Sequence, residues 1–144
     1  MLKIRKSTPA DSNRILDIWR RAVDATHDFL TPQDRVAIEA EVVVFIPETT
    51  FELAVDDNDI PVAFMLLIES HMEALFVDPA YRGQGVGRFL VEEAVRRYPQ
   101  LTTDVNEQNL QAIGFYEKLG FARCGRSELD GQGRAYPLIH LQMN

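Results

Sequence analysis

One segment constrains the fold more than any other: Leu75-Phe76-Val77-Asp78-Pro79-Ala80-Tyr81-Arg82-Gly83-Gln84-Gly85-Val86-Gly87-Arg88. An apolar, β-forming run ends at Asp78-Pro79, and three glycines follow at intervals of two. Apolar residues of helical period then take over at Val86, Phe89, Leu90 and Ala94. A chain with this pattern passes from a strand into a helix through backbone that no side chain obstructs, and the first amides of that helix have no partner within it. Such a turn can cradle an anion, because free amides and the helix dipole both favour negative charge, and Arg82 and Arg88 stand ready to add charge-assisted bonds. Local charge agrees: residues 78–97 carry four Arg against three carboxylates, within a chain of formal charge −7. The simpler alternative is a tight strand-to-helix turn that binds nothing.

The surrounding elements follow from period and punctuation. Residues 2–5 alternate apolar and basic and predict a short strand. Thr8-Pro9-Ala10-Asp11 has the makings of a helix start with a capping box, ahead of an apolar face at Ile15, Ile18, Trp19, Ala22 and Val23. Thr31-Pro32 opens a second helix that stops before Pro47. Residues 51–55 and 61–68 predict a hairpin about the turn-forming Asp56-Asp57-Asn58-Asp59, and residues 72–77 predict a third strand in the series. A helix over 85–97, a strand over 101–105, a helix over 109–119 closed by Gly120, and two last strands over 121–129 and 135–143 complete the order. Strands in series followed by strand, loop, helix and strand predict an α/β or α+β fold, a mixed sheet with helices packed on it.

The 144 residues predict one domain, 1–144, able to bury about 68–70% of the surface its unfolded chain exposes. The charge of −7, with a pI near 4.9, speaks against nucleic-acid and anionic-membrane partners, both of which want a basic face. A single cysteine, Cys124, allows no internal disulfide, and the longest apolar stretch, residues 62–68, is too short to span a bilayer. These features predict a cytoplasmic protein, and Cys124 itself reads as a small packed residue.

Two nucleotide motifs fail on the glycine loop. A Walker loop needs Gly-Lys-Ser/Thr where this chain has Val86-Gly87-Arg88. A dinucleotide fingerprint needs glycine three residues beyond Gly85, where Arg88 stands, although Asp104 lies at a suitable distance downstream. The spacing that does match is Arg82-x-x-Gly85-x-Gly87, which resembles the pyrophosphate-binding motif of the GNAT superfamily of acetyl-CoA-dependent N-acetyltransferases. Asn109-x-x-Ala112-x-x-Phe115-Tyr116-x-x-x-Gly120-Phe121 resembles that family's later helix. Residues 25–30 (Ala-Thr-His-Asp-Phe-Leu), 105–109 (Val-Asn-Glu-Gln-Asn) and Tyr136-Pro137-Leu138 resemble its small bacterial members.

The resemblance implies a GNAT-like fold, a central mixed, mostly antiparallel sheet flanked by helices, with an acetyl-CoA cleft between splayed central strands. It implies direct attack of a primary amine, on a small molecule or a protein, on the thioester of acetyl-CoA as cosubstrate, with no metal. The alternatives are a non-catalytic acetyl-CoA-binding regulatory module and a partner-binding domain without a CoA site. By resemblance the backbone of Leu75, Phe76 and Val77 holds the acetyl carbonyl and the pantetheine arm. Arg82, Gly83, Gln84, Gly85, Val86, Gly87 and Arg88 hold the pyrophosphate, and Asn109 contacts CoA or caps its helix. Tyr116 serves the departing thiolate, or else packs beside Phe115 with a solvated hydroxyl. A phenol of pKa about 10 is a weak acid toward a thiol of about 8.5, which favours hydrogen bonding over full proton transfer.

His71 and Glu73, two apart in a strand and so on one face, are the candidate bases, with a water chain as the alternative. His71 stands where some relatives carry a carboxylate. His27 and Phe29 belong by resemblance to one wall of the acceptor site. A metal set of His27, His71, His140 and Cys124 has no ligand spacing. Residues 1–60 hold 7 Lys+Arg against 12 Asp+Glu, a bias suited to a cationic amine. The last hairpin leaves monomer and homodimer both open.

Overall fold

The computed structural model describes residues 1–144. Its strands are β1 (Lys3–Lys6), β2 (Glu52–Val55), β3 (Pro61–Ile68), β4 (His71–Val77), β5 (Thr102–Asn106), β6 (Phe121–Ser127) and β7 (Leu138–Met143). Its helices are α1 (Ser12–Thr26), α2 (Pro32–Phe45), α3 (Val86–Arg97) and α4 (Leu110–Lys118). The seven strands form one sheet in the order β1-β2-β3-β4-β5-β7-β6. The expected mixed, mostly antiparallel sheet with helices is therefore present: β4 and β5 pair in parallel, and the pairs β1–β2, β2–β3, β5–β7 and β6–β7 are antiparallel. The chain divides into two compact units, Met1–Leu66 with Ala74–Leu90, and Leu67–Glu73 with Val91–Asn144.

In the first unit the apolar stripe of α1 does what its spacing predicts. Ile15, Ile18, Trp19 and Val23 are buried with Ile46, Phe51, Leu53, Val55 and Phe64, and Phe76 of β4 packs against this cluster. Thr8 and Asp11 do cap, but the turn they cap is the short 3-10 helix Pro9–Asp11, which leads into α1 at Ser12. The Asp11 carboxylate accepts from the Thr8 amide at 2.8 Å and from both terminal nitrogens of Arg5 at 2.9 and 3.0 Å, a pairing that holds its pKa below the usual carboxylate range. Thr31 caps α2 through the Asp34 amide, 3.1 Å away. Arg35 crosses back from α2 to lie 4.8 Å over the Trp19 ring.

In the sequence Asp78 reads as a simple strand breaker. It is instead among the most buried residues of the chain, 1% exposed. Its Oδ2 accepts from Arg14 at 2.7 Å and from Arg21 at 2.8 Å, one α1 residue two helical turns from the other. Its Oδ1 accepts from the Ala80 amide at 3.0 Å, its own amide donates to the Val62 carbonyl at 2.9 Å, and Arg14 donates further to the Pro61 carbonyl at 2.8 Å. The end of β4 is thereby tied to α1 and β3 before the glycines begin. Burial alone would raise the Asp78 pKa, but the Ala80 amide and the two guanidinium groups outweigh it and hold the carboxyl below its ordinary value.

In the second unit β5 and β7 alternate strictly. Thr103, Val105, Ile139 and Leu141 are buried, while Thr102, Asp104 and His140 sit on the opposite face. Tyr116 and Ile113 of α4 are buried, and Tyr116 stacks edge-on against Phe115 and Phe121 at 5.0 and 5.3 Å. Gly120 closes α4 with φ of 107°. Cys124, expected to be packed inside, is exposed; it lies where β6 slips register between Arg123 and Gly125.

A folded-state pKa held below the unfolded value near 3.9 contributes stability above that value, and the contribution is lost as pH falls through the folded pKa. Unfolding followed against pH should therefore show stability falling below about pH 4 as Asp78 and Asp11 take up protons. Asp78→Ala should cost about 3 kcal/mol in denaturant titrations, the low end for breaking a buried ion pair because Arg14 and Arg21 also reach solvent, and should flatten that acid limb.

Candidate active site

The first unit presents the glycine loop. From Asp78 the chain makes a 3-10 turn, Pro79–Tyr81, and passes through Gly83 and Gly85 with φ of 73° and 78°, values that any other residue adopts at a cost. Both are exposed, and a Cβ built on either would meet no atom within 4 Å. α3 begins at Val86, and its first helical bond runs from the Phe89 amide to the Gly85 carbonyl at 2.9 Å. Arg82, Gln84 and Arg88 are exposed around the loop and Val86 is buried beneath it. This is a helix start approached through open backbone, and it fits a phosphate-bearing ligand.

The same unit brings the predicted acceptor residues to β4. His27 ends α1, its Nδ1 lies 2.7 Å from Thr26 Oγ1, and its ring sits 5.3 Å from Phe29 and 6.4 Å from Phe76. Phe76 is in turn 5.4 Å from Phe64. His27, Phe29, Leu75, Phe76 and Val77 are all partly exposed, so this aromatic group is a wall with a surface.

The second unit holds the titratable candidates on two faces of the sheet. On the buried face, Thr103 donates to the Met72 carbonyl at 2.9 Å and lies beside Tyr116. Burial raises the Tyr116 pKa well above that of an ordinary phenol, and the Thr103 hydroxyl nearby offsets this only in part. The hydroxyl thus stays protonated through the neutral range. Asn109 caps α4 by accepting from the Ala112 amide at 3.2 Å, which realises the capping role considered for it.

On the other face, His71 Nδ1 lies 2.6 Å from Thr102 Oγ1, and its Nε2 faces Asp104 Oδ2 at 3.4 Å and Glu73 Oε1 at 3.9 Å. His140 Nδ1 lies 2.6 Å from the other oxygen of Asp104, and His140 Nε2 lies 2.7 Å from Ser127 Oγ. His71 and Glu73 do come together as predicted. In the sequence their neighbours Asp104 and His140 belong only to a dinucleotide fingerprint and a metal set that both fail. The signal that could have found them is register: Asp104 and His140 are directly opposed in the β5–β7 ladder, and His71 is opposed to Thr102.

The comparisons with known proteins agree with this geometry. The profile of the acetyltransferase (GNAT) domain matches residues 47–123, and the chain belongs to that family of N-acetyltransferases. It is 53% identical to the peptidyl-lysine N-acetyltransferase YjaB of Salmonella typhimurium, over 98% of this chain and 97% of that protein. The solution structure of apo-form YjaB from Escherichia coli superposes with a TM-score of 0.95 at 51% identity, covering 99% of this chain and 97% of that one. The PaiA N-acetyltransferase of Thermoplasma acidophilum, solved in complex with coenzyme A, shares the fold at a TM-score of 0.69 and 18% identity, covering 97% of this chain and 98% of that one. No helix is long and apolar enough to cross a membrane.

Because the space at Gly83 and Gly85 is open, replacing them costs backbone strain rather than a clash. Gly83→Ala and Gly85→Ala should each lose about 1–2 kcal/mol in thermal or denaturant unfolding. Gly131→Ala, also with nothing within 4 Å but without a positive φ, should lose none.

Proposed function

We propose that this chain transfers the acetyl group of acetyl-CoA to the side-chain amine of lysine in a protein or peptide. The observation that carries the acceptor is the 53% identity, over nearly the full length of both chains, to a protein named a peptidyl-lysine N-acetyltransferase. The cofactor reading rests on the left-handed glycines ahead of α3, and a coenzyme A complex in a protein of the same fold supports it. We take residues 1–144 to act as one catalytic domain. β3, β4 and α3 each contribute residues to both compact units, which supports that reading. A cytoplasmic setting suits an exposed, unpaired Cys124.

When bound, acetyl-CoA supplies the activated acetyl thioester. The roles assigned to the chain are those that its resemblance to the family implies. The loop from Arg82 to Arg88, with Gly83, Gln84, Gly85, Val86 and Gly87, takes the pyrophosphate through amides and the two guanidinium groups. Backbone groups of Leu75, Phe76 and Val77 hold the pantetheine arm and polarise the carbonyl, and Asn109 adds a contact beyond its cap. Tyr116 donates a hydrogen bond to the departing sulfur. With its pKa raised by burial it acts as a donor to developing charge and not as a source of a freely released proton. His71, with Glu73 beside it, takes the proton of the ammonium so that a neutral amine attacks. His27 and Phe29 wall the acceptor site, and the negative balance of residues 1–60 suits a cationic lysine.

The test is release of free thiol and acetylation of a lysine peptide on mixing with acetyl-CoA. Tyr116→Phe, which keeps the packing against Phe115 and Phe121, should lower kcat by about a hundredfold with little change in the KM for the peptide. Tight CoA binding with no turnover on any amine would overturn the proposal.

A further inference from the structure

The face of the sheet that carries His71 holds more than a base and its neighbour. Ser127 of β6, His140 of β7, Asp104 of β5 and His71 of β4 lie in line across four strands, each within hydrogen-bond or ion-pair reach of the next, and Glu73 of β4 stands beside His71. We propose that Asp104 and His140 are positioning residues for proton abstraction: His140 fixes the Asp104 carboxylate so that its free oxygen faces the nitrogen of His71 that receives the proton. This deepens the proposed function and rests on its reading of His71 as the base.

Hydrogen-bond accounting carries the inference. A carboxylate only accepts, so His140 must present a proton at Nδ1 to stand 2.6 Å from Asp104 Oδ1, and in the neutral ring its Nε2 then accepts from the Ser127 hydroxyl at 2.7 Å. As the base, His71 is the tautomer with its proton on Nδ1, which Thr102 Oγ1 accepts at 2.6 Å while donating to the Ser70 carbonyl at 3.4 Å. That leaves His71 Nε2 bare, with Asp104 Oδ2 at 3.4 Å and Glu73 Oε1 at 3.9 Å. The substrate ammonium, directly or through water, gives one proton to the Nε2 lone pair. The amine keeps its electron pair for the attack, and the imidazolium formed lies between two carboxylates.

A separate feature of the backbone accommodates this arrangement. β6 slips register between Arg123 and Gly125, so that Gly125 stands opposite His140. A Cβ at Gly125 would come within 3.1 Å of His140 Cδ2, closer than such contacts normally allow, so the absence of a side chain there makes room for the imidazole as it stands. Tyr116 and Thr103, on the other face of the sheet, play no part in this chain of contacts.

Two measurements test the proposal. In nitrogen-15 NMR spectra of the whole protein near pH 8, His140 should carry its proton on Nδ1; a proton on Nε2 instead would overturn the assignment. A double-mutant cycle then asks whether Asp104 acts through His71. Asp104→Asn and His140→Phe should each lower kcat on a lysine peptide by about tenfold or more, a share of what a positioned base supplies, with the KM for acetyl-CoA unchanged. In a His71→Gln background, Asp104→Asn should cost nothing further. An equal loss in both backgrounds would show Asp104 to be merely structural and overturn the inference while leaving His71 as the base. A fully active His71→Gln would overturn the base reading itself, and the positioning role with it.

Discussion

The buried Asp78 carboxylate is the point on which the first unit turns. A strand that must stop, turn and become a helix within a few residues has little local means of fixing its direction, because glycines at positive φ supply freedom and not rigidity. Direction comes from Asp78, five residues ahead of Gly83. Arg14, Arg21 and the Ala80 amide all bond to one carboxylate that solvent barely reaches. Removing a partner from so buried a carboxylate leaves a charge uncompensated, which is strongly destabilising. Glycine backbone is thus hung from a rigid post, an arrangement that suits the proposed anion site by keeping side chains out of the way.

The second unit solves a different problem with the period of a single strand. β5 alternates, so Thr103 and Asp104 face opposite ways. Thr103 lies beside the buried Tyr116 on one side, and Asp104 sits between two histidines on the other, half exposed. The two environments differ in the way that their proposed tasks need. Burial keeps the phenol protonated as a hydrogen-bond donor, while partial exposure lets a histidine exchange its proton with water. Acyl transfer to an amine needs both, a donor for the leaving sulfur and an acceptor for the proton of the incoming nitrogen.

What was legible in the sequence was local. The glycine loop, the Thr31-Pro32 start, the Asp56–Asp59 turn and the Gly120 stop all act through their own backbone preferences. The elements they punctuate appear within one to three residues of their expected ends, and β3 appears at the residues expected. The chemistry that stayed hidden depends on register and on distance along the chain. Asp78 finds partners 57 and 64 residues away, and nothing near it in sequence says that a strand breaker will be a buried anion. Asp104 and His140 are 36 residues apart and meet only because β5 and β7 pair in one register and β6 bulges at a glycine. Cys124 misled in the opposite sense: its residue type favours burial, and the same bulge leaves it exposed.

The central claim is direct transfer of acetyl from the thioester to a lysine amine. A single-turnover experiment with acetyl-CoA labelled in the acetyl carbon, quenched at intervals and read by mass spectrometry of both protein and lysine peptide, tests it most directly. The label should pass to the peptide while the mass of the protein never changes. Label appearing first on the protein, at the exposed Cys124 or elsewhere, or never reaching the peptide, would contradict the account.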